Sequence, residues 1–99
     1  MSERDYAAEV KIFKALDDVN RLQILEMLQS GEKCACVLQE RLPIGQSTLS
    51  HHMKVLCDSG IVTGRREGKW VYYSISEEGG KKARKLLKAL TKTFSDGKK

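Results

Sequence analysis

The cysteines are the residues of this 99-residue chain whose chemistry most needs an explanation. Cys34 and Cys36 stand two positions apart, and Cys57 lies further along the chain. Their number is odd and the N-terminal residues do not resemble an export signal, so we expect free thiols in a reducing compartment. Thiolates are soft donors that select thiophilic ions. The Cys34/Cys36 pair is therefore a candidate metal site.

The spacing of this pair limits how it can hold one ion. On an α-helix, residues i and i+2 point about 200° apart, whereas on an extended segment they share a side. The pair precedes and enters a predicted helix over residues 35–42, so chelation predicts local unwinding at the start of that helix. The unwinding would move the helix that follows it. Lys33 and the helix N-terminus should lower the thiol pKa.

Cys57 and the two histidines carry weaker signals. Cys57 lies on the flank of a predicted helix over residues 47–58, and we interpret it as a small, partly buried hydrophobic residue. At about 100° per residue, His51 points outwards from this helix and is a candidate DNA contact. His52 lies beside the edge of the core, which predicts a packed and hydrogen-bonded side chain.

The predicted helix over residues 47–58 has one face suited to reading DNA. Leu49, Met53 and Leu56 form its inward side. The outward side carries short hydroxyls, one His and one Lys, which can approach base edges and phosphates. Three cations follow at the tip of a predicted β-hairpin, where a wing would grip phosphates. The candidate DNA-binding residues are Gln46, Ser47, Thr48, Ser50, His51, Lys54, Arg65, Arg66 and Lys69.

The elements that position these residues follow from hydrophobic periodicity. Apolar spacing predicts helices over 5–16, 19–29, 35–42 and 47–58. Strands over 61–66 and 70–75 are joined by Glu67-Gly68-Lys69, and a last helix capped by Ser76 runs to about residue 94. This order predicts a mainly α fold with a β-hairpin wing, the winged helix-turn-helix. Residues 1–99 form a single domain, with a frayed tail over 95–99.

Composition limits the partners of the chain. With 40% hydrophobic and 31% charged residues it is typical of a folded domain, and no apolar stretch approaches the ~20 residues needed to span a membrane. We therefore expect a soluble, cytoplasmic protein without a membrane partner. A net charge of +5 suits a polyanion such as DNA. The small size favours a dimer, because a short chain buries little surface.

The sequence also resembles a known family. KALDDVNRLQILEMLQSGEKCAC and QSTLSHHMKVLCDSGIVTGRREGKWVYYSI are similar to the ArsR/SmtB metalloregulatory repressors, and the likeness covers about residues 8–76. It implies a homodimer, joined through the first and last helices, that binds palindromic double-stranded operator DNA. It also implies release from the operator when an inducer, As(III) or Sb(III), binds Cys34 and Cys36. No structural metal is expected.

Two positions depart from the arsenite-sensing type of that family, which carries Cys-x-Cys-x-x-Cys. Gln39 stands where the third thiol belongs, and Val37 replaces an expected Asp. Two thiolates could still hold As(III), with an outside thiol or water as the third ligand. The last helix has no His, Asp or Glu over residues 81–94, so the zinc or nickel site of other relatives is absent.

Three alternative functions give different expectations. An enzyme is not expected, because the spacing suggests no Cys/His/acid arrangement. The same fold could act as a repressor that senses oxidation through a thiol/disulfide change. A winged helix could also serve as a protein-interaction module without metal response, which predicts exposed apolar residues on the fourth helix in place of polar ones.

Overall fold

The computed structural model describes residues 4–94, and within them the helices and strands follow the predicted order with one addition. The first and second helices lie ahead of a short strand, which the sequence did not predict. The wing and the last helix close the chain. The elements are α1 (Tyr6–Leu16), α2 (Val19–Leu28), β1 (Lys33–Cys34), α3 (Ala35–Arg41), α4 (Gln46–Asp58), β2 (Val62–Glu67), β3 (Trp70–Ile75) and α5 (Glu77–Thr91).

Side-chain caps fix where three of the helices begin. Asp5 accepts a hydrogen bond from the Ala8 N–H at the start of α1. Asp18 caps α2 by accepting from two backbone N–H groups, and Ser76 caps α5. Carboxylates and hydroxyls are preferred at this position because they satisfy N–H groups that have no partner inside the helix. The predicted starts of α2 and α5 are confirmed.

The sheet contains three antiparallel strands in the order β1-β3-β2. In β1, Lys33 pairs with Tyr73 and Cys34 with Tyr72, so the segment before α3 is joined directly to the wing. Glu67 pairs with Trp70, which leaves a two-residue turn. Gly68 opens this turn at φ +63, a conformation that favours glycine. The turn is therefore shorter than predicted, and β2 begins and ends one residue later.

The core lies where α1, α2, α3, α4 and the base of the wing meet. Leu49, Met53 and Leu56 are buried, which confirms the predicted inward face of α4. The other buried apolar residues are Ala15, Ile24, Leu28, Leu38, Leu42, Ile61 and Val62. Only two polar or charged residues among those described are buried, and both help to position α4.

The last helix, α5, rests on the domain through its first turn. It contains no buried residue, and it ends at Thr91 rather than near residue 94. Gly79 lies so close to the Gly60 carbonyl that a Cβ atom would stand 1.8 Å from its oxygen. A side chain at this position would therefore push the helix away from the turn that follows α4.

These elements form a winged helix-turn-helix, as predicted. The helices α3 and α4 with their connection are the helix-turn-helix, and the β2–β3 hairpin is the wing. No helix within residues 4–94 is long and apolar enough to cross a membrane. The predicted frayed tail, residues 95–99, lies outside the described residues.

Candidate DNA interface and thiol site

All nine candidate DNA-binding residues are exposed. On α4, Ser47, His51 and Lys54 lie on the side away from the buried Leu49 and Met53, so the helix presents them to solvent. Gln46 and Thr48 lie on the two flanks of that side. Lys54 is paired with Asp58 one turn later at 3.1 Å, but both side chains are well exposed. Exposed pairs of this kind contribute little and are easily exchanged for another anion. The face is therefore free to meet a polyanion.

The position of α4 is held by Arg21, a buried cation that sequence reasoning missed. Its guanidinium donates to the carbonyls of Lys14 and Ala15 at the end of α1, at 3.0 and 3.1 Å. It also lies 2.8 Å from Nδ1 of His52 in α4. The signal was present in the sequence, because Arg21 shares the inward side of α2 with Ile24 and Leu28.

His52 is packed and hydrogen-bonded, as predicted. Burial lowers its pKa, and the charges of Arg21 and His51 lower it further against the opposing effect of Asp18. The ring is therefore neutral at pH 7, with Nδ1 accepting from Arg21 and Nε2 facing the Asp18 carboxylate at 3.8 Å. The cluster thus ties α1, α2 and α4 together through one neutral imidazole.

The three cations of the wing differ in their surroundings. Arg65 donates to Glu32 at 2.8 and 2.9 Å and to Glu67 at 3.0 Å, and it stacks 4.7 Å from the centre of the Tyr72 ring. These hydrogen bonds raise the pKa of Arg65, and the bond from Arg65 lowers that of Glu32. Arg66 forms no ion pair within the described residues. Of the two arginines of the wing, Arg65 is therefore held in ion pairs, and Arg66 has none within the described residues.

The thiol pair lies at the junction of β1 and α3. Cys34 is the last residue of β1 and the N-cap of α3, with an extended backbone at ψ 144. Its Sγ accepts a hydrogen bond from the Cys36 N–H at 3.3 Å. The interaction between the two thiols lowers the pKa of Cys34 and raises that of Cys36. The predicted pKa decrease is confirmed for Cys34 and wrong for Cys36.

The unwinding of α3 on chelation stays a prediction. The structure places Cys34 before the helix and Cys36 in its first turn, in agreement with the predicted start at residue 35. Cys34 precedes α3 in an extended conformation, and its Sγ caps the first turn through the Cys36 N–H. Chelation by both thiols would therefore act on the first turn of α3.

The described residues supply no third protein ligand beside this pair. Within residues 4–94, no group of three His, Cys, Asp or Glu side chains is arranged to hold a metal. Gln39 instead donates through Nε2 to the Ile44 carbonyl. Cys57 is half-buried, and burial raises the pKa of its thiol. Neither Gln39 nor Cys57 therefore completes a three-ligand site with the pair in this part of the chain.

The thiol pair and three of the candidate DNA-binding residues line the same cleft. A cleft of about 370 Å³ lies between α3, α4 and β3. Cys34 and Cys36 form part of its wall, and three of the candidate DNA-binding residues, Gln46, Ser50 and Lys69, form another part. Trp70, Val71 and Tyr73 contribute from the wing. A group bound to the thiols would thus lie beside candidate DNA-binding residues.

A second surface carries exposed apolar side chains on the first and last helices. In α1 they are Tyr6, Val10 and Phe13, and in α5 they are Leu87 and Leu90. On α5 these leucines contrast with a charged opposite side, although nothing in residues 4–94 covers them. Exposed apolar side chains are typical of interaction surfaces when they form one patch, so each of the two helices carries candidates for such a surface.

Comparison with known proteins places these features in context. Residues 18–63 match the model of a family described as "Bacterial regulatory protein, arsR family". An uncharacterized HTH-type transcriptional regulator from Methanocaldococcus jannaschii is 40% identical over 86 residues, which cover 86% of this chain and 97% of the relative. The arsenical resistance operon repressor of Staphylococcus xylosus is 48% identical over 67 residues, which are 68% of this chain and 64% of the repressor.

Solved structures have the same architecture. HlyU from Vibrio cholerae superposes with a TM-score of 0.70 at 36% identity, covering 93% of this chain and all of HlyU. A possible transcriptional regulator for arsenical resistance gives a TM-score of 0.74 at 28% identity, over 81% of this chain and 83% of the other. The winged arrangement of α3, α4 and the hairpin is thus shared with regulators of transcription.

Proposed function

This chain belongs to the arsR family of bacterial regulatory proteins, and from that premise we propose that it is a homodimeric repressor gated by a thiophilic metalloid at Cys34 and Cys36. As(III) or Sb(III) is the proposed inducer, and palindromic operator DNA is the proposed partner. The observation that carries the proposal is the cleft in which the thiol pair and the DNA-facing residues meet.

Dimerisation is supported by the apolar side chains that α1 and α5 leave exposed. Leu87 and Leu90 would lose this exposure against a second copy of the chain. A two-fold dimer presents its two recognition helices about 34–36 Å apart, one turn of the DNA helix. The first and last helices are also those that the family resemblance assigns to the interface.

DNA recognition is assigned to α4 and the wing. Ser47, Ser50 and His51 are short enough to reach base edges without holding the helix away from the major groove. Arg66 and Lys69 supply the positive charge that neutralises phosphates beside it. The buried cluster of Arg21 and His52 keeps α4 in position relative to α1, so the interface can read a fixed half-site spacing.

Release follows from where the inducer would bind. Arsenite exchanges As–O bonds for As–S bonds at Cys34 and Cys36, and the displaced hydroxide ligands leave as water with the thiol protons. Arsenic bound there would lie at the wall of the cleft that Gln46 and Lys69 also line. Because Cys34 pairs with Tyr72 of β3, a shift at this residue also moves the wing. Both effects weaken the fit of the protein to DNA.

The chemistry of the pair suits such an ion. The hydrogen bonds that lower the pKa of Cys34 favour its thiolate, which is the form that binds soft ions. Cys36 is exposed and accessible to an incoming ligand. Neither residue is needed to fill the core, so both are available to react.

The test measures operator binding by fluorescence anisotropy, with a DNA duplex taken from the region upstream of the gene. A phosphine keeps the thiols reduced without contributing a thiol of its own. Micromolar arsenite is expected to release the native protein and the matched control Cys57→Ser, but not Cys34→Ser or Cys36→Ser. Arsenite, antimonite and cadmium are compared in parallel to rank the ions.

Two outcomes contradict the proposal. If none of these ions changes DNA binding, control by a metalloid is excluded, and the protein is a repressor that responds to another signal. In that case, the thiol count by mass spectrometry after mild oxidation tests a redox signal instead. Absence of binding to any duplex removes the repressor function itself and favours a protein-interaction module.

A further inference from the structure

We propose that a low-molecular-weight thiol carrying a carboxylate completes the coordination of the metalloid in the cleft between α3, α4 and β3. The inference rests on the proposed function, since it concerns the third ligand of an ion held by Cys34 and Cys36. The inducer recognised by this chain is then a metalloid together with a small thiol, such as cysteine or glutathione.

The valence of the ion requires a third group. Trivalent arsenic forms three bonds, and the described part of the chain offers two thiols without a third His, Cys, Asp or Glu beside them. Gln39 cannot replace a thiolate, and its amide nitrogen is already used by the Ile44 carbonyl. The step is balanced as an exchange without oxidation. Three As–O bonds break, three As–S bonds form, and the three thiol protons leave in three water molecules.

The cleft has the size and position to hold the rest of the third ligand. Its volume of about 370 Å³ exceeds what the arsenic atom alone would fill and lies within the range of small-molecule sites, about 300–1,000 Å³. Both cysteines belong to its wall, so a group bonded to the same arsenic atom enters the same space. A free hydroxyl on arsenic would leave most of this space to solvent.

The wall of the cleft is suited to an anion with hydrogen-bonding groups. Lys69 supplies the positive charge, with Nζ 5.4 Å from the centre of the Trp70 ring. Gln46 and Ser50 add polar side chains. These features favour a carboxylate-bearing thiol over a neutral or cationic one.

The thiol bound in the cleft would also promote release from DNA. Lys69 is a candidate phosphate contact, and a carboxylate beside it neutralises the charge that DNA requires. Gln46 and Ser50 would meet the ligand instead of the operator. The thiol thus acts in the same direction as the metalloid.

The experiment measures the arsenite concentration needed for half-release of the operator, with a phosphine as reductant. Cysteine and glutathione are compared at equal concentration with cysteamine, a thiol without a carboxylate. We expect the two carboxylate thiols to lower the required arsenite concentration about tenfold. Native mass spectrometry should then show protein carrying arsenic and one thiol per site. The direction of the change is informative, because a free thiol that only sequesters arsenite would raise the arsenite concentration needed for half-release.

Matched variants test the role of the cleft cation. Lys69→Gln and Lys54→Gln each remove one exposed lysine near the DNA surface, but only Lys69 lines the cleft. The quantity compared is the ratio of half-release concentrations without and with cysteine, which cancels any change in basal DNA affinity. This ratio should fall towards one in Lys69→Gln and persist in Lys54→Gln.

An organic arsenical separates this inference from the proposed function. Phenylarsine oxide already carries carbon on its third bond and needs only two thiolates, so it should release DNA without added thiol. Release by phenylarsine oxide, combined with no benefit from cysteine on arsenite, overturns the inference and leaves the thiol gate intact. An equal benefit from cysteamine overturns the carboxylate requirement. Failure of every arsenical to release DNA overturns both.

Discussion

Replacing Gly79 by Ala tests how closely α5 must approach the domain. A Cβ atom at this position would stand 1.8 Å from the Gly60 oxygen and 2.7 Å from its carbonyl carbon. Side-chain Cβ atoms essentially never come within 3.0 Å of such a neighbour, so the backbone must separate by at least 1.2 Å, the difference between 3.0 and 1.8 Å. Both contacting atoms belong to the backbone, so no rotamer change relieves the clash.

The free energy of unfolding should fall by about 2 kcal/mol. Overpacking of this kind costs about 1–3 kcal/mol. Displacement of α5 from the Gly60 turn also weakens the 2.7 Å hydrogen bond from the Ser76 N–H to the Ile61 carbonyl, a loss of about 1 kcal/mol. Against this, Ala gains up to about 1 kcal/mol over Gly in a helix.

Gly80→Ala is the matched control. Its Cβ would meet only the flexible end of Arg84 at 3.3 Å and a methyl group of Ile75 at 4.0 Å. The helix gain of up to about 1 kcal/mol should therefore appear without a clash. The two variants change adjacent glycines of one helix by the same methyl group, so their difference isolates the contact with Gly60.

Thermal unfolding followed by circular dichroism measures the difference. At about 4–8 °C per kcal/mol for a domain of this size, the Tm should fall by about 8–16 °C in Gly79→Ala and rise slightly in Gly80→Ala. All samples need one protein concentration, because the Tm of an oligomer depends on it. Equal Tm values for the two variants would refute the reasoning, since α5 would then tolerate displacement from the domain.

Three further predictions concern the DNA-binding machinery. The folded state lowers the pKa of His52 below its ordinary 6.5, so the free energy of unfolding should decrease as the pH falls from 6.5 towards the folded pKa. His52→Gln should flatten this part of the pH dependence of the urea midpoint, measured between pH 8 and 5.5. The same pH dependence in native protein and His52→Gln would argue against this role of His52. Arg66→Gln should weaken duplex binding more than Arg65→Gln and reduce the salt slope by about 0.9, whereas equal effects would mean that the ion pairs of Arg65 do not restrain it. Leu87→Glu should yield monomers by light scattering and lower operator affinity at least tenfold, and a dimer that survives would move the interface elsewhere.

Local patterns were sufficient to predict most of the fold. The burial of Leu49, Met53 and Leu56 follows from helical spacing, and Asp18 and Ser76 mark helix starts because their side chains can cap free N–H groups. The hairpin also follows from local composition. These features depend on residues within a few positions of each other, which sequence reasoning can follow.

Interactions between distant positions were not predictable in this way. Glu32 and Arg65 are 33 positions apart, and Arg21 and His52 are 31 apart. Each partner alone has an ordinary interpretation, and the pairing exists only after the chain has folded. The short strand β1 was missed for the same reason, because two residues carry no periodicity and their pairing with β3 is a tertiary contact.

The thiol pair shows what local reasoning can and cannot reach. Helical spacing placed the start of α3 at residue 35, as the structure has it, but it did not predict that Cys34 pairs with β3. The structure ends β1 at Cys34 and begins α3 at Ala35, so the backbone changes conformation between the two thiols. The cleft beside them could not be predicted, since its walls come from α3, α4 and β3.

The shortness of β1 has a consequence for how quickly the protein responds. A two-residue edge strand opens at a small fraction of the free energy of global unfolding, so its amide hydrogens should exchange with solvent long before those of α4. Cys36 is exposed while Cys34 is half-buried against β3. Capture of an inducer should therefore proceed in two phases, a concentration-dependent attachment at Cys36 and a ring closure whose rate is set by the opening of β1.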